Sequence, residues 1–171
     1  FELIRKAVDA FSVSRLELSG YEADDLIATY SRFFTKKDWD ISIISSDKDL
    51  MQLVGDKVHM LDPIKNKLIK KQEVIEKFGV PPEKVIDVQS LAGDSIDNIP
   101  GAPGIGLKTA ALLVKEYGSL ENLLLNYSKI KQNKRRESIE KNLDAIKISK
   151  KLVTLKDDIE LNIDIDKISD C

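Results

Sequence analysis

The stretch GDSIDNIPGAPGIGLKTAA, residues 93–111, decides how the second half of the chain folds. Its glycines permit tight turns and let the backbone approach a ligand closely. After Gly106 the apolar residues recur on one face as far as Tyr117, which predicts a helix that Gly118 ends. A helix N-terminus after such a turn suits a phosphate, and Lys108 adds a cation. An ordinary loop before an amphipathic helix explains the same residues equally well.

Composition indicates a soluble globular protein. The chain has 171 residues, of which 42% are hydrophobic and 33% charged, and it is long enough to bury a core. No apolar run reaches transmembrane length and no signal-peptide pattern is visible. The single cysteine, Cys171, excludes a disulfide framework, so we expect a reducing, cytoplasmic setting. Because Phe1 lies within a helical pattern, we expect the chain to be a piece of a longer protein.

Charge is segregated along the chain rather than large overall. The net charge of −2 argues against a globally basic nucleic-acid binder. Residues 129–151 nevertheless carry nine basic against three acidic residues, whereas residues 157–171 carry six acids against one lysine. Such a basic segment is typical of a contact with a phosphate backbone, for which Lys134, Arg135 and Arg136 are candidates. A solvated helix face is the alternative.

The order of patterns predicts an α/β fold. Helices and strands alternate in the front half, which indicates a mainly parallel sheet flanked by helices, and the back half is helical. We predict strands at residues 14–18, 40–45, 57–61 and 67–70, with the second buried on both faces. The basic segment reads as mostly one long helix, and residues 159–165 as extended. The predicted parts are residues 1–92 (sheet), 93–155 (helical) and 156–171 (acidic tail).

Carboxylates occur in three clusters, each at a strand end or at the start of a helix or loop. They are Glu22, Asp24 and Asp25; Asp47 and Asp49; and Asp94 and Asp97. Ligands of parallel sheets bind at the carboxyl ends of strands, so the clusters are expected to meet there. All-carboxylate sites suit Mg²⁺ or Mn²⁺, and two such ions can clamp the attacking and leaving oxygens of a phosphodiester. Each cluster alone is better explained by helix capping or turn formation, but all three at such positions, beside a phosphate-type turn, favour a functional site.

The one histidine, His59, lies inside an apolar strand, which argues against catalysis by a Ser–His or Cys–His pair. We interpret it as a structural residue.

Three motifs in order resemble the 5′-nuclease family, which includes the 5′→3′ exonuclease domain of bacterial DNA polymerase I and the flap endonucleases. GYEADDLIA (residues 20–28) is similar to the family signature, and ISSDKDLMQLV (residues 44–54) to its second acidic motif. GDSIDNIPGAPGIGLKTA resembles the third acidic motif running into a helix-hairpin-helix turn. The resemblance covers almost the whole chain and is greatest to the bacterial polymerase domain. It implies a resolvase-like sheet at residues 1–92, a helix-hairpin-helix part at residues 93–155, and a bacterial, nucleoid-associated protein.

The resemblance implies a role for each matching residue. Glu22, Asp24, Asp47 and Asp49 are implied metal ligands, and Asp97 acts through water. Asp24, Asp47, Asp49 and Asp97 are thus the implied catalytic carboxylates. Asp25 and Asp94 are implied to be outer carboxylates of the same metal site. The implied DNA contacts are Gly101, Gly104, Ile105, Gly106, Lys108 and Thr109. Family members also hold a monovalent cation, typically K⁺, at this turn, with residues 104–106 as candidates.

The resemblance further implies a substrate and a larger parent protein. The expected partner is double-stranded DNA with a 5′ flap, nick or overhang, bound by a monomer that has no membrane contact and is joined to a polymerase domain. In the family, a front segment supplies another strand, further aspartates and an arch, so the two-metal site of these residues alone is expected to be incomplete. Two alternatives remain. One is a fragment that only binds duplex DNA. The other is a haloacid-dehalogenase-like phosphatase, because GDSIDN also resembles the fourth motif of that family.

Overall fold

The front of the chain consists of two helices that precede the sheet. In the computed structural model, which describes residues 2–160, helix α1 spans Glu2–Ala10 and helix α2 spans Ala23–Thr35. Helix α1 buries none of its side chains. Helix α2 is capped by Asp25, whose carboxylate accepts the N–H of Glu22 at 3.4 Å. A carboxylate in the first turn is favourable because it faces the positive end of the helix dipole.

A small mixed sheet follows. Its strands are β1 (Ile41–Ile44), β2 (Val58–Asp62) and β3 (Lys67–Ile69), in that spatial order. Strands β1 and β2 are parallel, with Ile43 opposite Met60, while β2 and β3 are antiparallel, with Met60 opposite Ile69. The parallel pair has a crossover containing a short 3₁₀ helix, Asp49–Leu53, so residues 45–49 lie at the carboxyl end of β1.

Six helices make up the rest of the described chain. They are α3 (Lys71–Phe78), α4 (Val85–Ala92), α5 (Leu107–Tyr117), α6 (Leu120–Asn126), α7 (Asn133–Lys141) and α8 (Leu143–Val153). The predicted stops at Gly79 and Gly118 are confirmed, since both glycines have positive φ where L-residues are disfavoured. Ser119 caps α6 as expected, its hydroxyl accepting the N–H of Asn122 at 3.1 Å.

Helix α4 is the centre of the molecule. It packs mainly against α5 and α8, and six of its eight residues are buried. The core is continuous from the sheet, through Ile43 and Met60, to the helices, through Leu91 and Ile146. A helix buried on nearly all sides is rigid, so side chains on α4 are well placed to fix a neighbouring site.

No helix within residues 2–160 is long and apolar enough to cross a membrane.

Three local predictions were wrong, two for a tertiary reason and one for a local reason. Residues 14–18 form no strand: the described sheet does not include them, and Arg15 and Glu17 make ion pairs with Asp9 and Arg5 of α1. Strand β1 is not buried on both faces: it lies at the edge of the described sheet, and Ile44 is 60% exposed.

The predicted long basic helix is two helices, α7 and α8, because Asn142 interrupts it. The side-chain amide of Asn142 donates to the backbone carbonyl of Ser138 at 2.7 Å. The backbone carbonyl of Asn142 accepts the N–H of Ile146 at 2.9 Å. Asparagine can compete with helical backbone bonds in this way, which ends α7 and begins α8. Of the extended segment predicted at 159–165, residues from 161 onward lie outside the described part.

Candidate metal and nucleic-acid site

The first acidic cluster lies in the first turn of α2. Asp24 is half-buried, and its pKa is raised, first by burial and then by the negative charges of Asp47, Asp49, Glu22 and Asp25. Asp25 has a second task, since its Oδ1 accepts the backbone N–H of Lys156 at 2.8 Å and so ties α2 to the segment after α8. Asp24 is therefore the member of this cluster that faces the other carboxylates, while Asp25 is held by backbone donors.

The second cluster, Asp47 and Asp49, lies directly after β1. The Oδ1 of Asp47 accepts the N–H of Asp49 at 2.9 Å, and the N–H of Asp47 donates to Ser45 Oγ at 3.0 Å, so the loop is fixed by its own side chains. Asp49 Oδ1 accepts the side-chain amide of Gln89 on α4 at 2.5 Å. The pKa of Asp49 is raised overall, first by burial and then by the negative charge of Asp47, while the hydrogen bond from Gln89 opposes this rise.

The third cluster lies in the loop after α4. Asp94 pairs by two backbone hydrogen bonds with Ile99, and its Oδ1 accepts the N–H of Ile96 at 2.8 Å. Its other oxygen forms an ion pair with Lys48, whose side chain is 30% exposed while that of Asp94 is 16% exposed. The Lys48 ammonium lowers the pKa of Asp94. Asp97 is exposed at the tip of the same loop.

The structure brings the three clusters into one acidic patch, defined here as Glu22, Asp24, Asp25, Asp47, Asp49, Asp94 and Asp97. Asp24 feels the charges of Asp47 and Asp49, and Asp49 feels that of Asp97. Within residues 2–160, however, no three acidic, histidine or cysteine side chains converge closely enough to form a ready metal site. Carboxylate oxygens of the patch are already engaged: those of Asp25 and Asp47 by backbone N–H groups, that of Asp49 by Gln89, and that of Asp94 by Lys48.

The hairpin loop, residues 93–106, lies directly beside this patch. Gly93 and Gly101 have φ of +68° and +56°, and their backbones are in contact. A Cβ on Gly101 would lie 2.4 Å from the nitrogen of Gly93, so only glycine fits there. The N–H of Gly101 donates to the buried hydroxyl of Ser149 on α8 at 2.9 Å, which anchors the loop to the helical core.

The end of the hairpin loop is open to solvent. A Cβ on Gly104 or Gly106 would meet no atom within 4 Å, so the backbone there is free for a close approach. Gly106 caps α5, and its carbonyl accepts the N–H of Ala110 at 2.9 Å. Lys108 is exposed in the first turn and Thr109 is half-buried, whereas the side chain of Ile105 is in the core. Any contact by Ile105 is therefore through its backbone.

Helix α7 brings the basic segment to the hairpin loop. The hydroxyl of Ser138 donates to the carbonyl of Pro103 at 2.6 Å. On the same helix Lys134 is exposed and Arg135 half-buried. Arg136 donates to the carbonyl of Ile130 and to Asn133, each at 2.9 Å, so it also braces the turn before α7. The structure thus joins the predicted basic residues to the predicted turn.

Two residues at the patch have no predicted role from the sequence. Lys48 could be seen only as a cation between two aspartates, and Gln89 only as a polar residue in the apolar run VIDVQSLA. Their partners, Asp94 and Asp49, are 46 and 40 residues distant in the chain. Sequence spacing carries no signal for such contacts, because they depend on how α4 packs against the loop after β1.

Two family models cover the chain. The 5′-3′ exonuclease, N-terminal resolvase-like domain matches residues 1–79, and the 5′-3′ exonuclease, C-terminal SAM fold matches residues 80–170. The chain belongs to the 5′-3′ exonuclease family. The predicted resemblance and α/β class are confirmed, and a phosphatase of the haloacid-dehalogenase type is not supported. The family models meet at residues 79 and 80, while the boundary expected after residue 92 stays a prediction.

Curated relatives of this 5′-3′ exonuclease family member include polymerases. DNA polymerase I of Rhizobium leguminosarum is 54% identical over 168 residues, which are 98% of this chain and 16% of the relative. The 5′-3′ exonuclease of Aquifex aeolicus is 40% identical over 161 residues, 94% of this chain and 54% of the relative. The chain therefore spans only part of the length of either relative.

Solved structures support the fold. A variant of the T5 5′-exonuclease superposes with a TM-score of 0.83 at 23% identity, covering 91% of this chain and 65% of the other. The catalytic core of Rad2 in complex with a DNA substrate gives 0.56 at 16% identity, covering 92% and 56%. At these identities the likeness shows a shared fold.

Proposed function

We propose that this chain is the 5′→3′ exonuclease and flap endonuclease part of a bacterial DNA polymerase I and hydrolyses phosphodiesters near the 5′ ends of duplex or flapped DNA. The observation that carries the proposal is the meeting of three acidic clusters beside the hairpin loop and the basic helix α7. Acids that hold metal and cations that hold phosphate are both needed for this reaction, and here they share one surface. The protein would act in the cytoplasm, on the nucleoid.

The residues of the acidic patch fit a divalent metal by their chemistry. Their donors are carboxylate oxygens, which suit Mg²⁺ and Mn²⁺, and burial of Asp24 and Asp49 among other acids makes the patch costly without a cation. Asp24, Asp47 and Asp49 are the proposed ligands, with Glu22 and Asp97 at the margin. Asp25 and Asp94, already held by backbone donors and by Lys48, are proposed to stay outside. When bound, such ions activate water and stabilise charge on the phosphate.

The hairpin loop is the proposed DNA grip. Gly104 and Gly106 leave its backbone open for a close approach, while the buried Gly101 anchors the loop to the core. Lys108 supplies a cation at the N-terminus of α5, and Lys134 and Arg135 extend the basic surface. Contacts of this kind read the phosphate backbone rather than base sequence. The carbonyls of residues 104–106 are the proposed site for K⁺. Water and metal ions would carry the chemistry, while the chain orients the duplex by these contacts.

A second function, duplex binding without cleavage, is favoured by one specific observation. No three metal-binding side chains converge within residues 2–160, whereas the hairpin loop and α7 are fully formed and anchored. A protein with this arrangement can hold DNA even if its carboxylates do not assemble a working metal pair.

Cleavage of a labelled 5′-flap duplex in Mg²⁺ or Mn²⁺ distinguishes the two functions, with a gel-shift on the same DNA in Ca²⁺. We expect the chain to cut, and Asp47→Asn to lower the rate at least a hundredfold while retaining DNA binding. Asp144→Asn is the matched control, because Asp144 is exposed on α8 and, within the described part of the chain, pairs only with Lys147. Binding without cleavage by the unmodified chain selects the second function, and absence of both refutes the proposed site.

A further inference from the structure

We propose that Gln89 is a positioning residue for the metal site, because its amide holds Asp49 Oδ1 and leaves Asp49 Oδ2 to face a cation. The inference rests on the proposed function, in which Asp49 is a metal ligand. Gln89 is 4% exposed on the central helix α4, and its Nε2 donates to Asp49 Oδ1 at 2.5 Å. A donor on a rigid, buried helix fixes the direction of the carboxylate it contacts.

The second half of the Gln89 amide shows why this residue is not explained by packing. Its Oε1 is buried and has no hydrogen-bond partner within residues 2–160. A buried acceptor without a partner lowers stability, and an apolar side chain of the same shape would avoid that loss. The amide is therefore unfavourable for the core, and its one satisfied contact is with a carboxylate of the acidic patch.

A neutral donor has an effect on a metal ligand that a cation does not have. Lys48 holds Asp94 in an ion pair, so a metal would have to compete with the ammonium for that carboxylate. Gln89 orients Asp49 without placing a positive charge beside it. The two cross-links thus separate the patch into a carboxylate held by a neutral donor, Asp49, and one already paired with a cation, Asp94.

The test is Gln89→Met, which keeps the length of the side chain and removes the donor. Calorimetric titration of Mn²⁺ into the chain measures the affinity without any need for cleavage. We expect the dissociation constant to rise about tenfold or more, as for other residues that orient a metal ligand. The melting temperature in the absence of metal is expected to change little, because the loss of the unpartnered oxygen offsets the loss of the hydrogen bond to Asp49.

Gln52→Met is the matched control. Gln52 lies in the 3₁₀ helix with Asp49, but among residues 2–160 its amide contacts only backbone groups: the carbonyls of Asp49 and Val153, each at 2.9 Å, and the N–H of Leu155 at 3.3 Å. Its loss is expected to lower the melting temperature and to leave Mn²⁺ affinity within about twofold. A structural role for Gln89 would instead give the same pattern in both variants.

The outcomes separate this inference from the proposed function. If the unmodified chain binds Mn²⁺ and Gln89→Met binds it equally well, the role of Gln89 is refuted and the metal site stands. If the unmodified chain binds no Mn²⁺ at millimolar concentration, the metal site fails and the inference fails with it. Weaker Mn²⁺ binding by Gln89→Met, with an undiminished melting temperature, supports the role.

Discussion

Replacing Gly101 by alanine is expected to destabilise the protein strongly, because two separate penalties apply at one position. Its φ of +56° disfavours any L-residue, and the new Cβ would lie 2.4 Å from Gly93 N and 2.7 Å from the carbonyl carbon of Ala92. These contacts are with backbone, which cannot rotate away. Adding about 1–2 kcal/mol for the left-handed φ to about 1–3 kcal/mol for overpacking gives about 2–5 kcal/mol.

Two other glycines of the hairpin loop are controls that isolate the terms. Gly104 has φ of +79° with open space around it, so Gly104→Ala carries only the conformational penalty of about 1–2 kcal/mol. Gly106 has φ of −84° and equally open space, so Gly106→Ala costs less than about 1 kcal/mol, through the weaker capping by alanine.

Urea unfolding followed by far-ultraviolet circular dichroism gives the free energy of unfolding for each variant. The expected order of destabilisation is Gly101→Ala, then Gly104→Ala, then Gly106→Ala. If Gly101→Ala unfolds at the same urea concentration as Gly106→Ala, the close contact between residues 93 and 101 is not present in solution, and the anchoring of the hairpin loop to Ser149 would have to be reconsidered.

Two further predictions concern single cations. Because Lys48 lowers the pKa of Asp94, their pair stabilises the fold above the usual aspartate pKa and loses that contribution as pH falls through the lowered value. Lys48→Met is therefore expected to be less stable than the unmodified chain at pH 7 and closer to it at about pH 3; urea unfolding at both pH values checks this, and a constant difference would contradict it. Lys108→Ala is expected to weaken duplex binding and to reduce the slope of log K against log salt by about 0.9, measured by gel-shift at several salt concentrations. Lys115→Ala, on the last turn of α5, is the control and should leave the slope unchanged.

Much of the secondary structure was predictable because its signals are local. Gly79 and Gly118 end their helices, and Ser119 begins one, through conformational preferences and hydrogen bonds that span only a few residues. One failure has the opposite character. Residues 14–18 have the pattern of a strand, yet a strand needs a neighbouring strand, and the described sheet does not include them. The break in the basic helix is local but was missed, because apolar periodicity does not show that the side-chain amide of Asn142 donates to the carbonyl of Ser138.

The sequence by itself determined the ingredients of the site: which residues are acidic, where the chain turns, and where cations accumulate. Three motifs in order were also enough to identify the family, because glycines and carboxylates at fixed spacing are visible without a fold. Only the tertiary structure decided which carboxylate pairs with a cation and which accepts a hydrogen bond from a neutral donor. Lys48 on Asp94 and Gln89 on Asp49 are contacts between segments 40 or more residues apart, and packing of α4 against the loop after β1 is what brings them together.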